Sequence, residues 1–168
     1  MKTKFAFVTG ALTLSVMMIA GFAGAQSSGS GAIPILQFTT MVPVSGPYVG
    51  TANPIRGISG GGLPWKVSVA SGELLENGTL KVRTQGLVFA SGPNEGQNTI
   101  PFMRAEVSCR SISSSGMADV VNLLTNAFPA DSMGDLTINT RVNLPHPCVA
   151  PIVFVTSPNG LWFAATGQ

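Results

Sequence analysis

Histidine and charge are both scarce in this sequence. The chain has one histidine, His146, and charged side chains make up 10% of its 168 residues, against about 25% in an ordinary globular domain. A Ser–His–Asp site needs a histidine beside a nucleophile, and a zinc site needs three or four ligands. His146 sits between Pro145 and Pro147 and is expected to be a surface-loop side chain. The sequence therefore predicts no catalytic residue, no metal and no cofactor.

Catalytic motifs are missing as well. The run Gly60-Gly61-Gly62 is followed by Leu-Pro-Trp, whereas a phosphate-binding loop continues with Gly-Lys-Ser/Thr and a helix. A tight turn or a close approach of two backbones explains this run. The chain has no Gly-x-Ser-x-Gly nucleophile elbow.

The sequence lacks a long apolar run outside its first residues. Lys2 and Lys4 precede an apolar stretch over residues 5–20, and Ala23-Gly24-Ala25 follows. This is the pattern of a signal peptide cleaved between Ala25 and Gln26. We expect residues 1–25 to be the signal peptide, 26–32 (QSSGSGA) a flexible leader and 33–168 a single β domain. The product is expected to be secreted, either extracellular or periplasmic, with no membrane span in the mature chain.

An excess of basic charge is absent from the mature chain. Two of the nine basic residues precede the predicted cleavage site, and the remaining seven equal the seven acidic residues. A nucleic-acid partner is not expected, because such proteins carry a basic stripe.

Helical periodicity is also absent, and strand-like alternation takes its place. Apolar Met103, Ala105, Val107 and Cys109 alternate with mostly polar neighbours, as in an antiparallel sheet with one wet face. Seven to nine short strands separated by Gly, Pro, Asn and Ser are expected. They predict an all-β antiparallel β-sandwich of Ig-like or Greek-key type, with a small β-barrel as the runner-up.

Two hairpins stand out in the pattern. Asn77-Gly78 is a strong hairpin-turn signal, since both turn residues need positive φ. Residues 86–90 are expected to continue the second strand of that hairpin after a bulge at Gly86. The last hairpin, 152–166, is apolar on both faces. It is either a central strand pair covered on both sides or a partner surface that presents Phe154 and Trp162.

The two cysteines predict one bridge. In an exported chain, Cys109 and Cys148 are expected to form a disulfide that closes a loop of about 40 residues. The alternative is a reactive or metal-binding thiolate pair.

The acidic residues are too few to suggest more than a pair of catalytic carboxylates. Glu106 shares a strand face with Arg104, which predicts a surface ion pair. Asp131 and Asp135 could offer oxygens to calcium, but an Asx turn is the simpler explanation. The acidic residues are Glu73, Glu76, Glu95, Glu106, Asp119, Asp131 and Asp135.

Three stretches carry a resemblance. Residues 55–65 (IRGISGGGLPW), 148–156 (CVAPIVFVT) and 162–167 (WFAATG) resemble a group of uncharacterised secreted bacterial β-rich proteins. The resemblance spans most of the mature chain and implies export and a β-rich domain, without an activity. The leucines and glycines from Gly72 to Leu87 also resemble the chordin-type extracellular repeat. The paired histidines of that family are missing here, so no site is carried over.

These features lead to one functional hypothesis and two alternatives. We expect a secreted, non-enzymatic β-sandwich that binds a ligand or assembles on a surface, with a protein, a glycan or a second copy as partner. The first alternative is a secreted hydrolase with paired carboxylates. The second is a carrier of a small apolar ligand, which requires a hollow barrel.

Overall fold

The computed structural model of this chain describes residues 31–167. The predicted signal peptide, its cleavage site at Ala25 and Gln26, and most of the leader lie outside the described residues. Within 31–167 the structure is almost entirely strand, as predicted, with one short 3-10 helix at Gly46–Tyr48. No helix in this part of the chain is long and apolar enough to cross a membrane.

Two antiparallel sheets form a sandwich. Sheet A has the strand order β1-β4-β5-β10, and sheet B has the order β2-β12-β11-β7-β8 with β9 paired to β7. A short ribbon of β3 and β6 stands apart from both sheets. The strands are β1 (Pro34–Phe38), β2 (Met41–Pro43), β3 (Trp65–Lys66), β4 (Val69–Leu75), β5 (Thr79–Gln85), β6 (Val88–Phe89), β7 (Phe102–Ile112), β8 (Ala118–Leu124), β9 (Phe128–Pro129), β10 (Leu136–Arg141), β11 (Val149–Thr156) and β12 (Trp162–Thr166).

Side-chain alternation fills the space between the sheets. Leu74, Leu80 and Val82 of sheet A are fully buried. Val107 and Val153 of sheet B are also fully buried. Alternate residues of a strand face opposite sides, so these apolar sets meet across the sandwich. The sheets keep separate edges instead of closing on each other, and the runner-up prediction of a β-barrel is therefore wrong.

The predicted Asn77-Gly78 hairpin is present between β4 and β5. Gly78 has a φ of 84°, and the Asn77 side chain accepts a hydrogen bond from the Thr79 N–H at 2.9 Å. The expected continuation beyond Gly86 is wrong. β5 ends at Gln85, and residues 88–89 leave the sheet to pair with β3. This excursion brings Phe89 against Trp65, whose ring also stacks on Phe163 at 4.0 Å, so aromatic packing outweighs continued pairing with sheet A.

The last hairpin, β11–β12, lies inside sheet B and is covered on both faces. Val153 and Val155 face the sandwich core, whereas Ile152, Phe154 and Thr156 point the other way. All five residues are buried. The second cover is residues 44–64, which we call the cover segment. It is joined to β12 by hydrogen bonds from the Gly61 N–H to the Trp162 carbonyl and from the Trp162 N–H to the Ser59 carbonyl.

The disulfide is the predicted one. Cys109 of β7 and Cys148 before β11 are bonded; their Cα atoms are 5.0 Å apart, and the two residues are 39 positions apart in sequence. In the chain-entropy account, a closed loop of this size contributes about 4 kcal/mol. The bond ties β7 to the start of β11, where the register of the two strands is irregular.

Arg56 of the cover segment donates hydrogen bonds where the register of β7 and β11 is irregular. The β7–β11 register shifts between Val149 and Ile152, and Pro151 has no N–H to donate. The Arg56 guanidinium donates to the carbonyls of Ser108, at 2.9 Å, and Ala150, at 2.7 Å. A side chain from the cover segment therefore supplies donors where the strand ladder is interrupted.

The Arg56 backbone is held too, since its carbonyl accepts from the Asn122 side chain of β8 at 3.0 Å. Arg56 has a φ of 50°, a backbone conformation that costs a non-glycine residue energy. Its contacts with three strands of sheet B offset this cost.

Arg56→Lys is expected to lower the free energy of unfolding by about 1–3 kcal/mol, because an ammonium cannot serve two carbonyls as a planar fork does. Denaturant unfolding measures this change. Arg83→Lys, at an exposed position of β5, is the matched control and is expected to stay within about 0.5 kcal/mol of the unaltered chain. Equal stabilities for the two variants would contradict the role assigned to Arg56.

Candidate ligand-binding cleft

A cleft opens between the cover segment and the outer face of β2 and β12. We call it the Tyr48 cleft, and its volume is about 590 Å³, within the range of ligand pockets. The cover segment forms one wall, and β2, β11 and β12 form the floor. The lining residues are Val42, Pro43, Ser45, Gly46, Pro47, Tyr48, Pro54, Ile55, Ile152, Trp162, Ala165, Thr166 and Gly167.

The lining of the Tyr48 cleft carries no charged side chain. Three of its residues are prolines, which have no backbone N–H. Val42 and Tyr48 are 55% and 45% exposed although both have large apolar surfaces. Such a lining favours an uncharged, largely apolar ligand over an ion, because a buried charge without a partner is costly.

The cover segment is fixed closely at the glycines that the sequence singled out. The Gly60 N–H donates to the Gly50 carbonyl, and the Gly50 N–H donates to the Gly61 carbonyl. A Cβ at Gly60 would lie 2.0 Å from the Tyr48 carbonyl oxygen. The glycine run thus provides the close backbone approach expected from the sequence, and this approach positions Tyr48 at the cleft.

Trp162 lies at the floor of the Tyr48 cleft and carries an unpartnered donor. Its ring packs against Tyr48, with centroids 6.3 Å apart, and edge-on against Phe154 at 6.1 Å. The side chain is 2% exposed, and its Nε1 has no hydrogen-bond partner within the described residues. Buried indole N–H groups usually have a hydrogen-bond partner. The Trp162 N–H is therefore an unsatisfied donor.

Three further polar atoms without a partner lie on the same face of sheet B. They are Arg104 Nε, Ser108 Oγ and Thr156 Oγ1. Arg104 pairs with Thr156 across β7 and β11, and Thr156 pairs with Trp162 across β11 and β12. Arg104, Thr156 and Trp162 therefore form one row across three strands under the cover. This face differs from the apolar face that meets sheet A.

Glu106 lies beside this row and is partly buried. Burial raises the pKa of Glu106 above its ordinary value of 4.5. The ion pair with Arg104 expected from the sequence is wrong: among the residues described, the ion pair present is Lys81–Glu73, at 2.9 Å. The strand places Arg104 and Glu106 on one face, and both side chains are partly buried there.

Arg56 is the other group with a perturbed pKa near this face. Burial, and then the charge of Arg110, lower the pKa of Arg56 below its ordinary value. The Arg56 guanidinium is committed to the carbonyls of Ser108 and Ala150. We therefore assign Arg56 a structural role, as an anchor of the cover segment.

Asp131 and Asp135 make structural contacts. The Asp131 carboxylate accepts hydrogen bonds from the N–H groups of Met133 and Asp135, both at 2.9 Å, which is the Asx turn considered above. Asp135 accepts from the Gly86 N–H. In residues 31–167 no three His, Cys, Asp or Glu side chains come close enough together to hold a metal ion.

The structure places the two residues of the predicted partner surface inside the protein. Phe154 is 0% and Trp162 2% exposed, so neither presents an apolar surface to a partner, because the cover segment packs over them. Trp162 nevertheless borders the Tyr48 cleft. His146 is exposed, as expected, beside a smaller cleft of about 260 Å³.

Sequence reasoning missed Val42 as a lining residue of the cleft and Arg56 as an anchor of the cover segment. Tyr48 is the chain's one tyrosine and is surrounded by Gly and Pro, but no local pattern reveals the face of the sheet against which it packs. Arg56 donates to carbonyls at an interruption of the β7–β11 pair, and these carbonyls belong to Ser108 and Ala150, about 50 and 90 positions away in sequence.

Comparison of the chain with known protein families gives no match, and comparisons with curated proteins and with solved structures give no significant match either.

Glu106→Gln is expected to stabilise the protein at neutral pH. Because the native pKa lies above the unfolded value, the native state keeps a proton that the unfolded state has lost in the window between the two values. The free energy of unfolding of the unaltered chain therefore falls as pH rises through that window, whereas the amide does not titrate.

Unfolding of both chains measured from about pH 4 to pH 8 tests this expectation. The stability advantage of Glu106→Gln should be small at the acid end and reach a plateau at the neutral end. Glu73→Gln, which removes an exposed ion pair, is the control and should change stability by less than about 1 kcal/mol. A Glu106→Gln advantage that is independent of pH would show that desolvation of the carboxylate is not its cause.

Proposed function

We propose that this protein is an exported, non-enzymatic binding module that holds an uncharged ligand in the Tyr48 cleft. One observation carries the proposal: the cleft has an apolar lining without a charged residue, and that lining includes an exposed tyrosine, Tyr48, packed against the buried ring of Trp162. The apolar walls favour an uncharged ligand through burial of surface.

The acidic residues support binding over hydrolysis. Glu73 pairs with Lys81, and Asp131 and Asp135 hold turns. None of the acidic residues lines the Tyr48 cleft. A two-carboxylate hydrolase needs two such groups facing one substrate, and the cleft is built for a ligand that is held unchanged.

The form of the sandwich supports a surface cleft over an enclosed carrier site. The inner faces of the two sheets are filled by apolar side chains, and the sheets do not close into a barrel. The cleft lies on the opposite face of sheet B, where a ligand arrives from solvent.

Export is supported by two features. Residues 1–25 have the charge, apolar stretch and small-residue site of a signal peptide. The Cys109–Cys148 disulfide is of the kind that persists in oxidising compartments. The N-terminal residue of the exported chain is expected to be Gln26, and N-terminal sequencing tests this. A chain recovered in the cytoplasm with Met1 intact would contradict export.

Binding to the cleft is testable with N-phenyl-1-naphthylamine, an uncharged apolar fluorophore. The exported chain is expected to bind it saturably. Val42→Glu places a carboxylate at the exposed edge of the cleft and is expected to weaken binding by about tenfold or more, since a desolvated charge is costly. Val69→Glu is the matched control, because Val69 is similarly exposed, at 48%, and lies on β4 in the other sheet.

The two variants decide the matter together. Loss of fluorophore binding in Val42→Glu with retention in Val69→Glu supports the Tyr48 cleft. Equal binding by both variants, or no saturable binding by the unaltered chain, would overturn the proposed function. Both substitutions are at exposed positions and leave the buried core intact.

A further inference from the structure

We propose that a second copy of this chain pairs with strand β8, antiparallel and edge to edge, with the two Asn122 residues facing each other at the centre. β8 ends sheet B on one side, whereas the Tyr48 cleft borders β2, which ends the sheet on the other side. The inference therefore concerns a different surface and does not rest on the proposed function.

The open side of β8 presents a regular row of backbone groups. β8 pairs with β7 without a register shift over all seven of its residues. The Thr125 N–H donates to the Ala105 carbonyl, so by alternation the odd-numbered residues of β8 direct their N–H and C=O groups to β7. The even-numbered residues direct theirs away from the sheet, and among the strands of residues 31–167 none pairs with that side. These residues are Ala118, Val120, Asn122 and Leu124.

The other edge strands of the two sheets are less suited to pairing with another chain. β2 ends at Pro43, and β1 begins at Pro34 and has a register shift before Leu36. β10 is bridged at its first residue, Leu136, by Ala130. Proline and irregular register are common ways in which an edge strand avoids pairing with another molecule. β8 contains neither and is the longest of the four edge strands, so it is the edge most open to an added strand.

The side chains of β8 give little protection against pairing. Val120 and Leu124 are 43% and 42% exposed, and they lie with Asn122 on the outer face of the strand. Asp119 is the one charged residue in β8, and exposed apolar side chains beside an open edge favour association. An added strand covers these apolar side chains at the same time as it pairs the backbone.

The order of residues in β8 makes the strand complementary to itself. Two valines precede Asn122 and two leucines follow it, in the run Val-Val-Asn-Leu-Leu. In an antiparallel pair centred on Asn122, Val120 lies opposite Leu124 of the second copy, and the outward backbone groups of both strands meet. Val121 lies opposite Leu123 in the same way, and about six hydrogen bonds join the two copies. This match favours a second copy over a foreign strand as the partner.

Charge selects this register over its neighbours. Pairing centred one or two residues earlier would place the Asp119 carboxylate opposite an apolar side chain of the second copy, Leu123 or Val121. Pairing centred on Asn122 places Asp119 opposite Thr125, beyond the end of β8. The two Asp119 residues are then about 20 Å apart along the strands, which is more than twice the Debye length at physiological salt. Their mutual repulsion is therefore largely screened.

Asp119 also limits the strength of the pairing. Its carboxylate accepts a hydrogen bond from the Val120 N–H at 2.8 Å, and this N–H points away from β7. In the dimer the same N–H donates to the Leu124 carbonyl of the second copy, so the carboxylate competes with the partner strand. We therefore expect a weak, reversible dimer with a dissociation constant in the micromolar to millimolar range, as for other small interfaces.

Sedimentation equilibrium of the exported chain, from about 1 μM to 1 mM, tests the proposal. The unaltered chain is expected to show a monomer–dimer equilibrium. Leu124→Lys places an ammonium group opposite Val120 of the second copy and should weaken the dimer about tenfold or more, because burial of an unpaired charge is costly. Val69→Lys, at an exposed position of β4 in the other sheet, is the matched control and should leave the equilibrium unchanged.

Asp119→Ala removes the acceptor that competes with the partner strand. The dimer is expected to tighten about three- to tenfold, because the Val120 N–H is then free to donate to the second copy. The same sedimentation series measures this change. A weaker dimer in Asp119→Ala would contradict the competition assigned to the carboxylate.

Cysteine cross-linking tests the register. Facing residues of a hydrogen-bonded antiparallel pair have Cα atoms about 5.5 Å apart, within reach of a disulfide. Mild oxidation should convert Asn122→Cys into a covalent dimer and should leave Val69→Cys uncross-linked. Asn122→Cys loses its hydrogen bond to the Arg56 carbonyl, so the double variant Val120→Cys/Leu124→Cys, which keeps Asn122, is the second probe of the same register.

Three outcomes would overturn the proposal. The first is a monomer at every concentration. The second is a dimer that Leu124→Lys does not weaken, because that dimer forms through another surface. The third is a dimer that neither cysteine variant cross-links, because its register differs. Binding of N-phenyl-1-naphthylamine is measured separately and should be the same in Leu124→Lys and in the unaltered chain, since β8 does not line the Tyr48 cleft.

Discussion

The β11–β12 hairpin is apolar on both faces, and this constraint organises the rest of the molecule. One sheet can cover only one face of a strand pair, so a second layer has to come from elsewhere in the chain. Val153 and Val155 are covered by the sandwich core, while Ile152 and Phe154 are covered by residues 44–64. Without the cover segment, the large apolar side chains of this hairpin on the outer face of sheet B would be exposed to water. The cleft exists because this second layer is a loop and does not seal the sheet completely.

The cover segment is held at two places by different means. Near Gly60 and Gly61 it runs beside β12 and shares backbone hydrogen bonds with it. At Arg56 it is anchored through a guanidinium that replaces missing ladder donors near the Cys109–Cys148 bond. Between these anchors and β2, the chain carries Tyr48 on a short turn flanked by glycines. An anchored loop that presents an exposed aromatic residue is a suitable arrangement for a cleft that admits a ligand.

Much of the fold could be predicted from sequence because its signals are local. The alternation through Met103 and Val107 and the Asn77-Gly78 turn each specify a strand or hairpin from a few adjacent residues. For the disulfide, the presence of two cysteines in a chain that is expected to be exported suffices. The predictions that were wrong concern contacts distant in sequence: Gly86 sends the chain away from β5 toward Trp65, and Arg104 does not pair with Glu106. The cleft as a whole escaped prediction for the same reason, since Tyr48 packs against Trp162 and Arg56 binds an interrupted strand pair, both of them far along the chain.

Pro43 has a consequence for how copies of this protein meet. β2 is the edge strand of sheet B beside the cleft, and the Val44 N–H next to Pro43 is directed to the Phe163 carbonyl of β12. By alternation, Pro43 faces the open edge, where it has no N–H to donate. A strand added to this edge would lack a hydrogen bond at Pro43, so extension of sheet B by a neighbouring molecule is disfavoured on this side. Pairing of a second copy along β2 is thus disfavoured beside the mouth of the cleft, even though the cleft lining has no charge to keep other copies away.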